Sequence, residues 1–161
     1  MKAYQVITER DGETTKQPGE VSTMRPQITP EMILEAAKQL HGFEPDDAET
    51  ISKYYYYGQD GYQLARQLDR RACWDLSMPE VQELDQLSSI VDHLLQVSER
   101  QWVADNNIQP TLLVGTRIKQ GIITGVCPYA AARYQVKEDG ETNPGHFLLV
   151  KFEDAEVVDD A

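Results

Sequence analysis

The chain is poor in the side chains on which most enzyme chemistry is built. It has three histidines, His41, His93 and His146, and two cysteines, Cys73 and Cys127, in 161 residues. No pair of them has the spacing of metal ligands. A thiolate–imidazole dyad of Cys127 and His146 would require the fold to bring together residues that are distant in sequence, and a buried cysteine with a loop histidine is the commoner arrangement. The chain has no Walker loop, no Gly-x-Gly-x-x-Gly, no Gly-x-Ser-x-Gly and no EF-hand spacing. The expectation is a non-enzyme with no catalytic residues, no metal and no cofactor. No run of about 18 apolar residues is present, so no membrane-spanning helix is expected. The N-terminal MKAYQVITERDGE lacks an apolar signal-peptide core, and two separated thiols suit a reducing compartment. Both point to a cytoplasmic protein.

A second absence is local. Asn106 to Lys137 contains no Asp or Glu, although the chain carries a formal charge of -12. Arg117, Lys119, Arg133 and Lys137 all fall in this stretch. Residues 30–107 hold six basic and fifteen acidic side chains, whereas 108–161 hold five and eight. The middle region should repel phosphate backbones, and it suits a basic protein surface or a plain solvated exterior.

Three regions emerge. Residues 1–28 are polar and turn-rich. Ala3–Thr8 could form one short strand, and 9–27 is expected to be mostly mobile. Residues 29–107 read as an acidic helical domain of about four helices. Thr29 with Pro30 opens the first, whose apolar face is Met32, Ile33, Ala36, Ala37 and Leu40, and Gly42 closes it. Asp46 with Glu49 opens a second, which carries Ala48, Ile51 and the run Tyr54, Tyr55, Tyr56, Tyr57 up to Gly58. Asp60 with Gln63 opens a third. Ser77 with Glu80 opens a fourth, whose apolar positions recur at threes and fours from Val81 to Trp102 and predict one helix over 78–105. About 25 residues long, it would reach near 38 Å and offers a homodimer seam.

A helix spreads four successive residues around its circumference. Some of Tyr54, Tyr55, Tyr56 and Tyr57 must therefore face solvent, where tyrosines anchor binding surfaces well. Gly61–Leu68 also looks like the first helix of a helix-turn-helix. The next helix begins with Glu80, Glu83 and Asp85, which are wrong for a face that meets phosphates.

From residue 111 to 158 the period changes to two. Ile118, Ile122, Thr124 and Val126 share one parity, with Arg117, Lys119 and Ile123 on the other. Tyr134 and Val136 alternate with Arg133, Gln135 and Lys137, and a last strand covers Phe147 to Phe152. The run Gly115–Val126, followed by a Tyr-x-Val strand and an apolar strand ending in Phe152-Glu153-Asp154, resembles a small SH3-like barrel of the KOW or Tudor kind, although Gln120-Gly121 stands where the KOW pattern has a longer loop. The resemblance covers under a third of the chain. It implies a small antiparallel barrel, and such barrels commonly bind nucleic acid or protein tails, so Arg117, Lys119, Arg133, Lys137 and Lys151 would give a small, salt-sensitive basic face. The same cations would equally well pack against the acidic helices. Fewer than fifty residues make a marginal barrel, which should dock on the helices or borrow the Ala3–Thr8 strand.

The whole reads as an α+β protein. The leading expectation is a cytoplasmic accessory protein that binds a protein partner through its acidic helical surface, in the style of a phage or prophage inhibitor or nucleic-acid mimic. The alternative is a nucleic-acid-binding regulator that uses the basic face.

Overall fold

A computed structural model describes residues 24–159 of the chain, so the expected Ala3–Thr8 strand lies outside the described residues. The class is α+β: among the described residues, five helices precede a four-stranded antiparallel sheet.

The helix starts are set locally. Thr29 Oγ1 accepts from the amide of Met32 at 3.2 Å and Pro30 fills the first position of α1 (Pro30–Lys38). α2 (Asp47–Tyr54) begins without a side-chain bond from Asp46; the Asp47 carboxylate instead accepts from the Glu44 amide. A reciprocal capping box of Asp60 and Gln63 opens α3 (Gly61–Ala72), and Ser77 with Glu80 does the same for α4 (Met78–Leu84). α5 (Leu87–Asp105) is the longest.

Two helix ends differ from the sequence expectation, and both are set by contacts across the fold. α2 stops at Tyr54 and does not continue to Tyr57. Tyr55 turns extended (φ -78°, ψ 139°), which sends its ring into the core and its phenol to Ser88 of α5 at 2.9 Å. The predicted single helix over 78–105 is also broken, into α4 and α5. At Asp85–Gln86 the backbone tightens: the Gln86 amide bonds to Glu83, three residues back. The Asp85 carboxylate accepts from the Gly61 amide at 2.8 Å. Gly61 lies so close that a Cβ there would stand 2.4 Å from the Val81 carbonyl oxygen and 2.6 Å from the Asp85 nitrogen. The start of α3 is thus pressed into the bend between α4 and α5.

The helical core gathers Ala36, Leu40, Ile51, Leu64, Leu68, Leu84, Leu87 and Val91, with Phe43 stacked on Trp74 at its edge. α1 packs on α2 and α5, and α3 on α2 and α4.

The strands are β1 (Arg117–Ile118), β2 (Gly121–Val126), β3 (Arg133–Lys137) and β4 (Leu148–Lys151), in the order β1-β2-β3-β4. After a 3-10 turn at Phe152–Asp154 the chain returns beside β1, where Val157 bridges Ile118. This curls the sheet into a half-barrel, in which β4 and β1 do not pair among the described residues. Its core is Ile118, Ile123, Tyr134, Val136 and Val150. The Tyr134 phenol accepts from the amides of Thr111 and Leu112, both at 3.0 Å, which fastens the incoming chain to the sheet.

The expected parity holds in β3 and inverts in β2. Ile118 pairs with Gly121 and Arg117 with Ile122 across a two-residue loop. Paired residues share a face, so even positions in β1 face the same way as odd positions in β2. Ile123 is therefore buried and Ile122 is exposed, the reverse of the sequence reading. Gly121 is required at the turn: its φ is +144° and a Cβ would fall 2.1 Å from the Lys137 carbonyl oxygen.

Candidate functional site

The early end of α2 distributes the four tyrosines. Tyr54 is half-buried with the Lys53 ammonium 5.3 Å from its ring centre, and Tyr55 is in the core. Tyr56 and Tyr57 are 54% and 59% exposed. The Tyr57 phenol donates to Asp92 Oδ1 of α5 at 3.1 Å. That bond, with the Asp92 charge behind it, holds the phenol's pKa above the ordinary tyrosine value. Beside Tyr57 lies a pocket of about 330 Å³, lined also by Gln59, Asp60, Asp85, Ser88 and Asp92.

Gln59 is the buried member of this group, 3% exposed. Its Oε1 accepts from the Tyr56 amide and its carbonyl from the Ser88 hydroxyl, while its Nε2 is buried with no partner among the described residues. Sequence reasoning singled out the tyrosines as binding residues, and read Asp60 and Asp85 only as a helix cap and a helix-start acid; Gln59 and Asp92 were not singled out. These residues come from the α2–α3 loop, the α4–α5 bend and α5, and no spacing in the chain links them.

The strand cations are distributed differently. Arg117 pairs with Asp139 at 3.0 Å and Lys119, in the β1–β2 loop, pairs with Glu156. Arg133 makes a two-pronged contact with Glu99 of α5, both bonds at 3.0 Å. Lys137 and Lys151 are exposed and form no ion pair among the described residues.

Glu99 is 3% exposed and sits at the seam between helices and sheet. There it also meets Arg25, which was expected to lie in a mobile segment. All five N–H donors of the Arg25 guanidinium are placed: two on Glu153, one on Glu99, and one each on the carbonyls of Ala131 and Ala132. The Trp102 ring covers it at 5.1 Å. Burial would lower the Arg25 pKa, but the bonds to Glu153 and Glu99 outweigh it and raise the value. The same bond from Arg25 holds the Glu153 carboxyl below its usual range, against the opposing effect of burial. Two arginines and two glutamates thus make a seam with no net charge, at the side of a cleft of about 1150 Å³ that Leu95, Trp102, Ile108 and Phe152 also line. One sign of this seam was present in the sequence. Glu99 stands four residues after Leu95 and three before Trp102, an acid on an apolar stripe.

His146 Nδ1 lies 2.7 Å from Glu141, while Cys127 is a buried thiol at the end of β2. Among the described residues no group of three or more His, Cys, Asp or Glu is arranged to hold a metal ion, and no helix is long and apolar enough to cross a membrane. No family model matches the chain, and no curated protein or solved structure shows significant similarity to it.

Proposed function

We propose that this is a non-enzymatic interaction protein that binds a protein partner through its acidic helical surface, with Tyr56 and Tyr57 as anchors. The observation that carries the reading is the exposed Tyr57 ring at a pocket lined by Asp60, Asp85 and Asp92, with Tyr56 exposed next to it in the chain. Aromatic anchors are enriched at the core of protein interfaces, and polar and charged groups lie at the rim. A charge mimic of nucleic acid, as in a phage-type inhibitor, is one form of this role. The basic-face alternative draws less support, since Arg117, Lys119 and Arg133 each already contact a carboxylate of the same chain.

The test is a pull-down from the native host with the tagged full chain. A stoichiometric partner should elute with salt and be lost on joint substitution of Tyr56→Ser and Tyr57→Ser. Partner capture indifferent to both tyrosines would overturn the assignment of the surface. Gel shifts with single- and double-stranded DNA and RNA at low salt should show no complex. A shift removed by Lys137→Ala and Lys151→Ala together would establish the alternative.

A further inference from the structure

The two edges of the sheet are finished differently. At β1 the end of the chain covers the edge: the Lys119 amide donates to the Glu156 carbonyl at 3.0 Å, the Val158 amide to the Arg117 carbonyl at 3.2 Å, and Val157 bridges Ile118. At β4 no strand among the described residues does so. The direction of its backbone groups follows from two bonds. The Phe152 amide donates to the Ala132 carbonyl at 3.0 Å, and the Cys127 amide to the Arg133 carbonyl at 2.8 Å. Bonded pairs alternate along an antiparallel ladder, so Ala132, Tyr134 and Val136 bond toward Phe152, Val150 and Leu148. The amides of Leu149 and Lys151, and the Leu149 carbonyl, therefore point away from β3. They meet no partner among the described residues.

An edge of this kind is a template for one more strand. The side chains along it are also incompletely covered. Leu148 and Phe152 pack on the sheet core but are only partly buried, and Leu149, on the opposite face, is 46% exposed. A sheet domain this small is short of apolar cover.

A source for the missing strand lies beside the edge. Residues 1–23 precede Met24, the first described residue. Met24 and Arg25 line the large cleft together with Lys151 and Phe152. Arg25 donates to the Ala132 carbonyl, the same oxygen that takes the Phe152 amide. The chain thus enters the described structure next to the end of β4. Upstream, the run Ala3–Thr8 is free of charge and holds Tyr4, Val6, Ile7 and Thr8, residue types that favour strands. Residues 9–23 can span about 50 Å when extended, against about 14 Å for the length of β4, so reach sets no limit. A tether of this length gives an effective concentration on the order of millimolar.

We propose that Ala3–Thr8 adds to the open edge of β4 as a fifth strand, taking the Leu149 and Lys151 amides into its ladder.

The test is amide hydrogen exchange of the isotope-labelled full chain, followed by NMR. The Leu149 and Lys151 amides should exchange about tenfold or more slowly than unstructured amides, and cross-strand NOEs should join Ala3–Thr8 to Leu148–Lys151. Successive strand residues turn their amides to opposite sides, so one of Val6 and Ile7 must donate toward β4. Either Val6→Pro or Ile7→Pro should then speed exchange at Leu149 and Lys151 about tenfold, while the Tyr134 and Val136 amides keep their protection. Fast exchange at Leu149 and Lys151 in the parent would show a bare edge and overturn the inference. Protection that survives both prolines would overturn it as well, and would assign the edge to a second copy if it grows with protein concentration. Should either proline variant fail to fold, the NOEs of the parent decide, and their absence sinks the fifth strand.

Discussion

Tyr57 and Asp92 form a pair in which a neutral phenol holds a carboxylate at the surface. Ionising the phenol would set two negative charges against each other, so the shift is upward. In an NMR titration of labelled tyrosines, the Tyr57 resonance should move at a pH above the ordinary tyrosine range, and Asp92→Asn should bring it back toward the ordinary value. A Tyr57 titration unchanged by Asp92→Asn would mean the bond is not made in solution. At this scale the sequence was informative about which residues are exceptional and silent about why. Four tyrosines in a row had to include exposed rings, whereas the preference of Tyr55 for the core depends on Ser88, which is 33 residues away.

Elements were legible where their determinants are local. Thr29 with Pro30, Asp60 with Gln63, and Ser77 with Glu80 act within one turn, and each opens a helix where the chain says it should. The break at Asp85–Gln86 was not legible, because an unbroken apolar period runs through it and its tertiary contact, Gly61, lies 24 residues away in the chain. That glycine makes a direct prediction. Gly61→Ala puts a methyl group into the backbone of Val81 and Asp85, and α3 must move off the bend. The cost should be roughly 1–3 kcal/mol of stability, as for other overpacked sites, read as a lower denaturant midpoint with little change in slope. The inverted face of β2 belongs to this scale too. Alternation can be read within a strand, but a two-residue turn resets which parity points inward, and turn length is what the sequence leaves open around Lys119 and Gln120.

For the whole molecule, the decisive contacts join regions that composition kept apart. The middle region is acidic and the strands are locally basic, and their meeting point is Glu99 with Arg133 and Arg25. The polar N-terminal segment gave no hint that Arg25 would be buried. Arg25→Ala leaves the Arg133–Glu99 pair in place and strips Glu153 of its partner, while the Ala131 and Ala132 carbonyls still accept from Arg133 and from the Phe152 amide. A loss of roughly 1–2 kcal/mol is expected, because Glu153 is partly exposed and the other acceptors keep partners, measured by chemical denaturation. The acid limb follows from Glu153. Its folded pKa lies below the unfolded value of about 4.3, so its contribution is complete above that pH and lost as pH falls through the folded value. Melting temperature should drop below pH of about 4, and Glu153→Gln should be less stable than the parent at neutral pH and converge with it in acid. Parallel curves for the two proteins would show that Arg25 gains nothing from that charge.

The Arg25 contacts close loops of very different size from those of the helical core. They join residues 74, 106, 107 and 128 positions apart in the chain. Closing such loops costs chain entropy before any contact rewards it, so local helical pairings have the advantage early in folding. The guanidinium should therefore lock after the rate-limiting step. In a stopped-flow chevron, Arg25→Ala would then leave the refolding limb nearly where it was and raise the unfolding rate by almost the full equilibrium loss. Arg25 would in that case act chiefly on how long the native state survives, with little influence on how quickly it is reached.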